Sequence, residues 1–218
     1  MRIVRRFCGS SVGKKVIMAV TGTALAGFIL VHLLGNTAIY FGSDAFNSYA
    51  AHLHEFDPVL KVFEVVLLVL FMVHVSFGVS LFIRNKCARP QRYAVTASSG
   101  GSTLGSATMF YTGLIVLIFI GYHLWSVSFS SPLFLMSIAD VIRQHLQLPV
   151  VAGLYLVSVL ALALHLSHGL WSLCQSLGAS HPTYDLMLRR GAVGLAVLVG
   201  GVFVSFPLLA QLWDGFLR

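Results

Sequence analysis

The run Ala163-Leu164-His165-Leu166-Ser167-His168-Gly169-Leu170-Trp171 sets two imidazoles inside a segment whose flanks are apolar. From Val150 to Leu173 that segment has about the 20 residues a helix needs to cross roughly 30 Å of hydrocarbon. An imidazole in a bilayer is costly unless something engages it, so it marks a functional site by default. The rest of the chain decides which of the two histidines acts, and on what.

Four further stretches have the same length and character: Val16–Ile39, Leu60–Ile83, Thr108–Phe129 and Ala192–Trp213. With 57% hydrophobic and 10% charged residues over 218 positions, a soluble domain is excluded. Spanning helices satisfy their own backbone hydrogen bonds, so the expected fold is an all-α membrane protein of five transmembrane helices. The short loops leave no room for a separate catalytic domain, and residues 1–218 read as a single membrane-anchor domain.

Charge sets the orientation. Arg2, Arg5, Arg6, Lys14 and Lys15 precede the first span; Arg84, Lys86, Arg89 and Arg92 follow the second; Arg189 and Arg190 precede the fifth. The opposite side holds only Lys61, Arg143 and Arg218, but it holds Asp44, Glu55, Asp57, Glu64, Asp140 and Asp214. The positive-inside rule then puts the N-terminus in the cytoplasm and the C-terminus outside. The net charge of +7 reads as topology plus a cytoplasmic partner surface, with no nucleic acid expected.

A cleavable signal ending near Ala24-Leu25-Ala26 is the competing reading of the first thirty residues. The apolar run continues through Gly27–Leu34, and cleavage would halve the span, so the helix is expected to be retained. Cys8, Cys87 and Cys174 all fall on the cytoplasmic side, where thiols stay reduced. No Cys-x-x-Cys-His occurs, so covalently attached haem is not expected.

An internal repeat orders the histidines. Thr21/Thr112, Gly22/Gly113, Phe28/Phe119, His32/His123, Leu33/Leu124, His74/His165, Ser76/Ser167 and Gly78/Gly169 all share an offset of 91. Apolar coincidences are cheap in a membrane protein, but matches among His, Thr, Ser and Gly are not. Two units of two spans each would be related by a pseudo-two-fold axis along the membrane normal. His32 and His123 then face one another about 7 Å outside the middle of the bilayer, and His74 and His165 about 4–6 Å inside it. Two such layers suit two stacked bis-histidine haems within the first four helices, since bundle cofactor sites are built from facing helices.

Gly78 and Gly169 lie one turn after their histidines, where the missing side chain lets a porphyrin approach the backbone. Thr21 and Thr112 fall on the face of His32 and His123, about 16 Å nearer the cytoplasm. Reaching the inner haem and packing helices through small residues are both open to them. Zinc fits less well, because no layer offers a third or fourth ligand. His52, His54, His145 and His181 read as surface residues.

These residues carry a family resemblance. Ser10-Ser11-Val12-Gly13-Lys14-Lys15-Val16-Ile17-Met18-Ala19-Val20-Thr21-Gly22, then Val31-His32-Leu33-Leu34-Gly35-Asn36, resembles the cytochrome b membrane anchor of bacterial succinate dehydrogenases. Phe41 to His54 and His165 to Gly178 extend the likeness over nearly the whole chain. The family is the five-helix, two-haem, single-polypeptide type shared with quinol:fumarate reductases.

The resemblance implies two b-type haems, the outer on His32 and His123 and the inner on His74 and His165. It implies a flavoprotein subunit and an iron–sulfur subunit on the cytoplasmic side, with membrane quinone (menaquinone for this type) as electron partner. The chain would then be an electron-transfer subunit in the cytoplasmic membrane of a bacterium, with succinate chemistry on a partner. Some fumarate reductases of this family carry a glutamate two residues before the fourth histidine. Here that position is Ala163, which favours succinate oxidation over the alternative of quinol:fumarate reduction. The cytochrome b subunit of a hydrogenase or formate dehydrogenase is a second alternative, and a small histidine-bearing transporter a third.

An outer quinone site would draw on Asn47, Tyr49, His52 and Glu55, and an inner one on Ser11, Lys14, Arg84 and Gln175. Lys14, Lys15 and Arg84 are equally placed to pair with inner-haem propionates. Within the opening stretch, the repeat aligns His165 with His74 and His168 with Phe77, which cannot bind a metal. His165 is therefore the expected ligand. His168 becomes a neighbour near the interface, within reach of a propionate or the quinone.

Overall fold

The structure, a computed structural model, describes residues 2–88, 103–129, 136–213 and 215–217, with no side-chain description for 2–5, 128 and 129. Arg89, Arg92, Asp214 and Arg218, and the side chains of Arg2 and Arg5, lie outside it. All secondary structure among the described residues is helical. In chain order these are α1 (Arg2–Gly9), α2 (Ser11–Asn36), α3 (Ser43–His54), α4 (Asp57–Cys87), α5 (Leu104–Leu124), α6 (Ile138–Gln147), α7 (Pro149–Ser176) and α8 (Asp185–Leu212).

Five segments are long and apolar enough to cross a membrane: Ser11–Phe41, Asp57–Cys87, Leu104–Val127, Pro149–Ser176 and Asp185–Leu212. This is the architecture of a multi-pass membrane protein. Each helix overruns its apolar core. α2 starts at Ser11 because Ser10 caps it, its hydroxyl accepting from the Gly13 N–H at 2.9 Å. α5 starts on a capping box in which Thr103 and Ser106 each accept from the other's backbone N–H. α7 ends on Gly178 at φ +78°, with the Ala179 N–H reaching back to Cys174 O at 2.8 Å.

α2, α4, α5 and α7 form a ring: α2 packs on α4 and α7, and α5 on α7 and α4. The pairs α2/α5 and α4/α7 are therefore its diagonals. α8 lies outside the ring against α7 and α2, and Leu33, Leu166, Ala196 and Val199 form the core there. A Cβ on Gly200 would stand 2.9 Å from Cβ of Ala163, so α7 and α8 meet through two small residues.

The connections between α2 and α4 and between α5 and α7 are not plain loops. α3 and α6 are short amphipathic helices, and with the end of α8 they bury Phe46, Ala139, Leu146, Phe206 and Phe216 in one cluster. Asn47 Oδ1 accepts from the Ala139 N–H at 3.1 Å and so ties α3 to α6. After α5 the chain makes one π-helical turn, Trp125–Phe129, two residues past His123.

Candidate functional site

Two pairs of imidazoles cross the diagonals of the ring. His32 on α2 and His123 on α5 have centroids 6.1 Å apart, with their planes at 85°. His74 on α4 and His165 on α7 have centroids 6.4 Å apart, at 65°. Metal–imidazole bonds of about 2.0–2.1 Å on opposite sides of one ion put ring centroids roughly 6–6.5 Å apart. Both separations match that figure. Among the described residues no three His, Cys, Asp or Glu side chains converge, so each layer offers a metal ion two imidazoles at most. A pair of that kind suits an ion whose remaining positions are filled by a macrocycle.

The His74/His165 layer is held the same way on both sides. Thr21 lies 3.1 Å from Nδ1 of His74, and Thr112 lies 3.3 Å from Nδ1 of His165. Both threonines are buried. These two residues touch the imidazoles of His74 and His165 from the neighbouring helices, a contact that the sequence reading did not foresee. Each histidine sits in a notch made by a glycine. A Cβ on Gly22 would stand 3.2 Å from Cε1 of His74, and one on Gly113 would stand 3.2 Å from Cε1 of His165. Gly78 and Gly169 face the methyls of Met18 and Met109, at 3.5 and 3.6 Å from where a Cβ would be. The two methionines are themselves 91 residues apart.

The His32/His123 layer is asymmetric. Nδ1 of His123 lies 3.0 Å from the Tyr155 hydroxyl. The His32 ring stacks on Phe28 at 5.4 Å and meets Phe203 at 6.0 Å. Sequence reading missed Tyr155 because its counterpart 91 residues earlier is Glu64, which is exposed on α4.

At the other end Lys14 Nζ donates to Ser80 Oγ at 2.5 Å, and Arg84 donates to Gly9 O at 2.8 Å. Both belong to the basic end of the bundle. His168 does not join His165; its ring abuts Trp171 at 5.6 Å. Trp171 donates to Asp185 at 2.9 Å and lies under the Arg189 guanidinium at 3.6 Å, and Arg189 pairs with Asp185 at 2.7 Å. His168, Trp171 and Arg189 border a cleft of about 550 Å³, its remaining wall largely apolar. Ser11 and Gln175 are exposed.

At the end of the bundle nearer His32, the Tyr49 hydroxyl fills the space beside Gly35, one turn past that histidine. His52 pairs with Glu55 at 3.5 Å, fully at the surface, and His54 with Asp57 at 3.3 Å. His181 is exposed, and His145 is bound to its own helix through Val141 O at 3.0 Å. Cys8, Cys87 and Cys174 are free thiols.

The chain is similar to a curated protein of Bacillus subtilis (strain 168), the succinate dehydrogenase cytochrome b558 subunit. The two are 28% identical over 156 residues, which is 69% of this chain and 72% of the relative. No family model matches, and no solved structure does. The resemblance drawn from the motifs and the likeness found by comparison point to one kind of protein.

Proposed function

Starting from a chain that is a relative of a succinate dehydrogenase cytochrome b subunit, we propose that it is the dihaem anchor of a succinate:quinone oxidoreductase. The observation that carries this reading is the pair of opposed imidazoles in each of two layers, at 6.1 and 6.4 Å between centroids. His32 and His123 hold the outer haem b, and His74 and His165 the inner one. Each haem, when bound, supplies a one-electron couple whose potential its ligands and surroundings set.

The chain's own residues bind, orient and insulate. Thr21, Thr112 and Tyr155 orient imidazoles. Gly22 and Gly113 let the inner pair sit deep against α2 and α5. Gly78 and Gly169 keep bulk away from the plane between them. Lys14 and Arg84, at the basic end, neutralise propionates, and His168 sits within reach of a propionate or the quinone.

That basic end faces the cytoplasm in this reading and receives the iron–sulfur subunit, with the flavoprotein subunit beyond it. The quinone is menaquinone, and the complex lies in the cytoplasmic membrane of a bacterium. Position 163 presents a methyl to Gly200 on α8, with no carboxylate there, which supports succinate oxidation as the direction. Residues 1–218 act as one domain, with the two halves related by the 91-residue repeat.

Purifying the intact complex from membranes tests this. A b-type reduced-minus-oxidised spectrum with two haems per chain is expected, together with succinate:menaquinone activity and co-purified flavoprotein and iron–sulfur subunits. Preparations without a b-type alpha band, or with hydrogenase or formate dehydrogenase subunits instead, would refute it.

A further inference from the structure

We propose that Thr21, Thr112 and Tyr155 are positioning residues that fix which nitrogen each histidine offers, and that they tune the two layers separately. The proposal rests on the dihaem reading above. Its ground is the set of hydroxyls at the ring nitrogens and, for the two threonines, the direction of the hydrogen bonds, which follows from where each hydroxyl proton is already committed.

Thr21 donates to Ile17 O at 2.8 Å, as a helical threonine does one turn back. Its proton is therefore used, and Oγ1 can only accept from His74. The Met18 carbonyl also lies against that ring, and a carbonyl cannot donate. With the Thr21 proton used, Nδ1 of His74 carries the hydrogen that Thr21 accepts. Thr112 repeats the arrangement: it donates to Thr108 O or Met109 O, both at 3.1 Å, and accepts from His165, against which the Met109 carbonyl also lies. With Nδ1 protonated in both rings, the lone pair sits on Nε2. The tautomer is set by hydroxyls on α2 and α5, two helices that carry neither of these ligands.

At His123 the device differs. Nδ1 of His123 lies 3.0 Å from the Tyr155 hydroxyl. In the dihaem reading Nε2 of His123 carries the lone pair, so Nδ1 donates and Tyr155 accepts. Ser126, buried in the π-helical turn after α5, donates to His123 O at 3.1 Å. Among the described residues no side chain hydrogen-bonds the His32 ring, which stacks on Phe28 and meets Phe203. The inner layer thus has two hydroxyl-anchored imidazoles and the outer layer one.

A ligand imidazole that donates its second N–H becomes more basic and favours the oxidised metal. Removing one hydroxyl should raise the potential of one haem and leave the other in place. The test is a spectroelectrochemical titration of the whole membrane complex, together with the ferric EPR spectrum of each haem. It uses Thr21→Val, Thr112→Val, Tyr155→Phe and the conservative Thr21→Ser.

Thr21→Val and Thr112→Val are expected to shift the same haem upward and alter its EPR signature. Tyr155→Phe should shift the other, and Thr21→Ser should restore the parent values. Loss of one haem in Thr21→Val with retention in Thr21→Ser also supports the proposal. It is overturned if both haems keep their potentials in all variants, or if Thr21→Val and Tyr155→Phe shift the same one. Absence of haem from the unsubstituted complex would instead defeat the functional reading, and the proposal with it.

Discussion

Cε1 of His74 occupies the space where a side chain on Gly22 would begin: a Cβ there would stand 3.2 Å away. That contact is tighter than a real Cβ normally makes, so glycine is what lets the ring lie against α2. Gly22→Ala should push His74 off its line to His165. Overpacking of this kind destabilises by about 1–3 kcal/mol. The expected outcome is reduced haem content in one layer only, read from the alpha band per mole of protein. Gly113→Ala should reproduce it from the other side.

Histidine variants should fall into two classes. His74→Ala and His165→Ala are expected to remove one spectral component, and His32→Ala and His123→Ala the other. His168→Ala should keep both, since His168 packs on Trp171 and not on the opposing pair. Loss of haem in His168→Ala with retention in His165→Ala would reverse the assignment.

The α7/α8 crossing depends on the closeness of Ala163 and Gly200. Leucine at 200 cannot fit without separating the helices, and the penalty should again be about 1–3 kcal/mol. A lowered melting temperature in detergent is expected, with both haem signals retained in the folded fraction. An unchanged melting temperature would show that α8 can move aside freely.

Orientation can be read from thiols. Cys87 is exposed at the end of α4. In a variant with Cys8 and Cys174 replaced, a membrane-impermeant maleimide should spare Cys87 in intact cells and label it in inverted vesicles. The reverse pattern would place the basic end outside.

Much of the site was legible because its residue types are expensive in hydrocarbon. Four histidines at an offset of 91 stand out against Leu and Val, and the structure places those four in two facing pairs. Met18 and Met109 share the offset, yet an apolar match carries little signal, and they went unnoticed. Tyr155 was hidden because Glu64 occupies its counterpart position. The helix ends escaped because interfacial turns are polar and still helical, as Asp185 to Gly191 in α8 shows. α3 and α6 escaped for a related reason: each is short, and half of each surface is polar. Their burial is decided by Phe206 and Phe216, which lie far away in sequence.

α4 is peculiar among the spans: none of its residues is buried. It packs along α2, with Thr21 on His74, Lys14 on Ser80 and Arg84 on Gly9, while Phe82 stacks on Phe110 of α5 at 3.7 Å and His74 meets His165 of α7. Two of the partners it needs, Phe110 and His165, are synthesised after it. The first two spans can pair as soon as both are made, while the side of α4 that carries His74 and Phe82 waits for the third and fourth. A chain stalled before α7 would therefore present a polar imidazole to lipid without the ring that faces it.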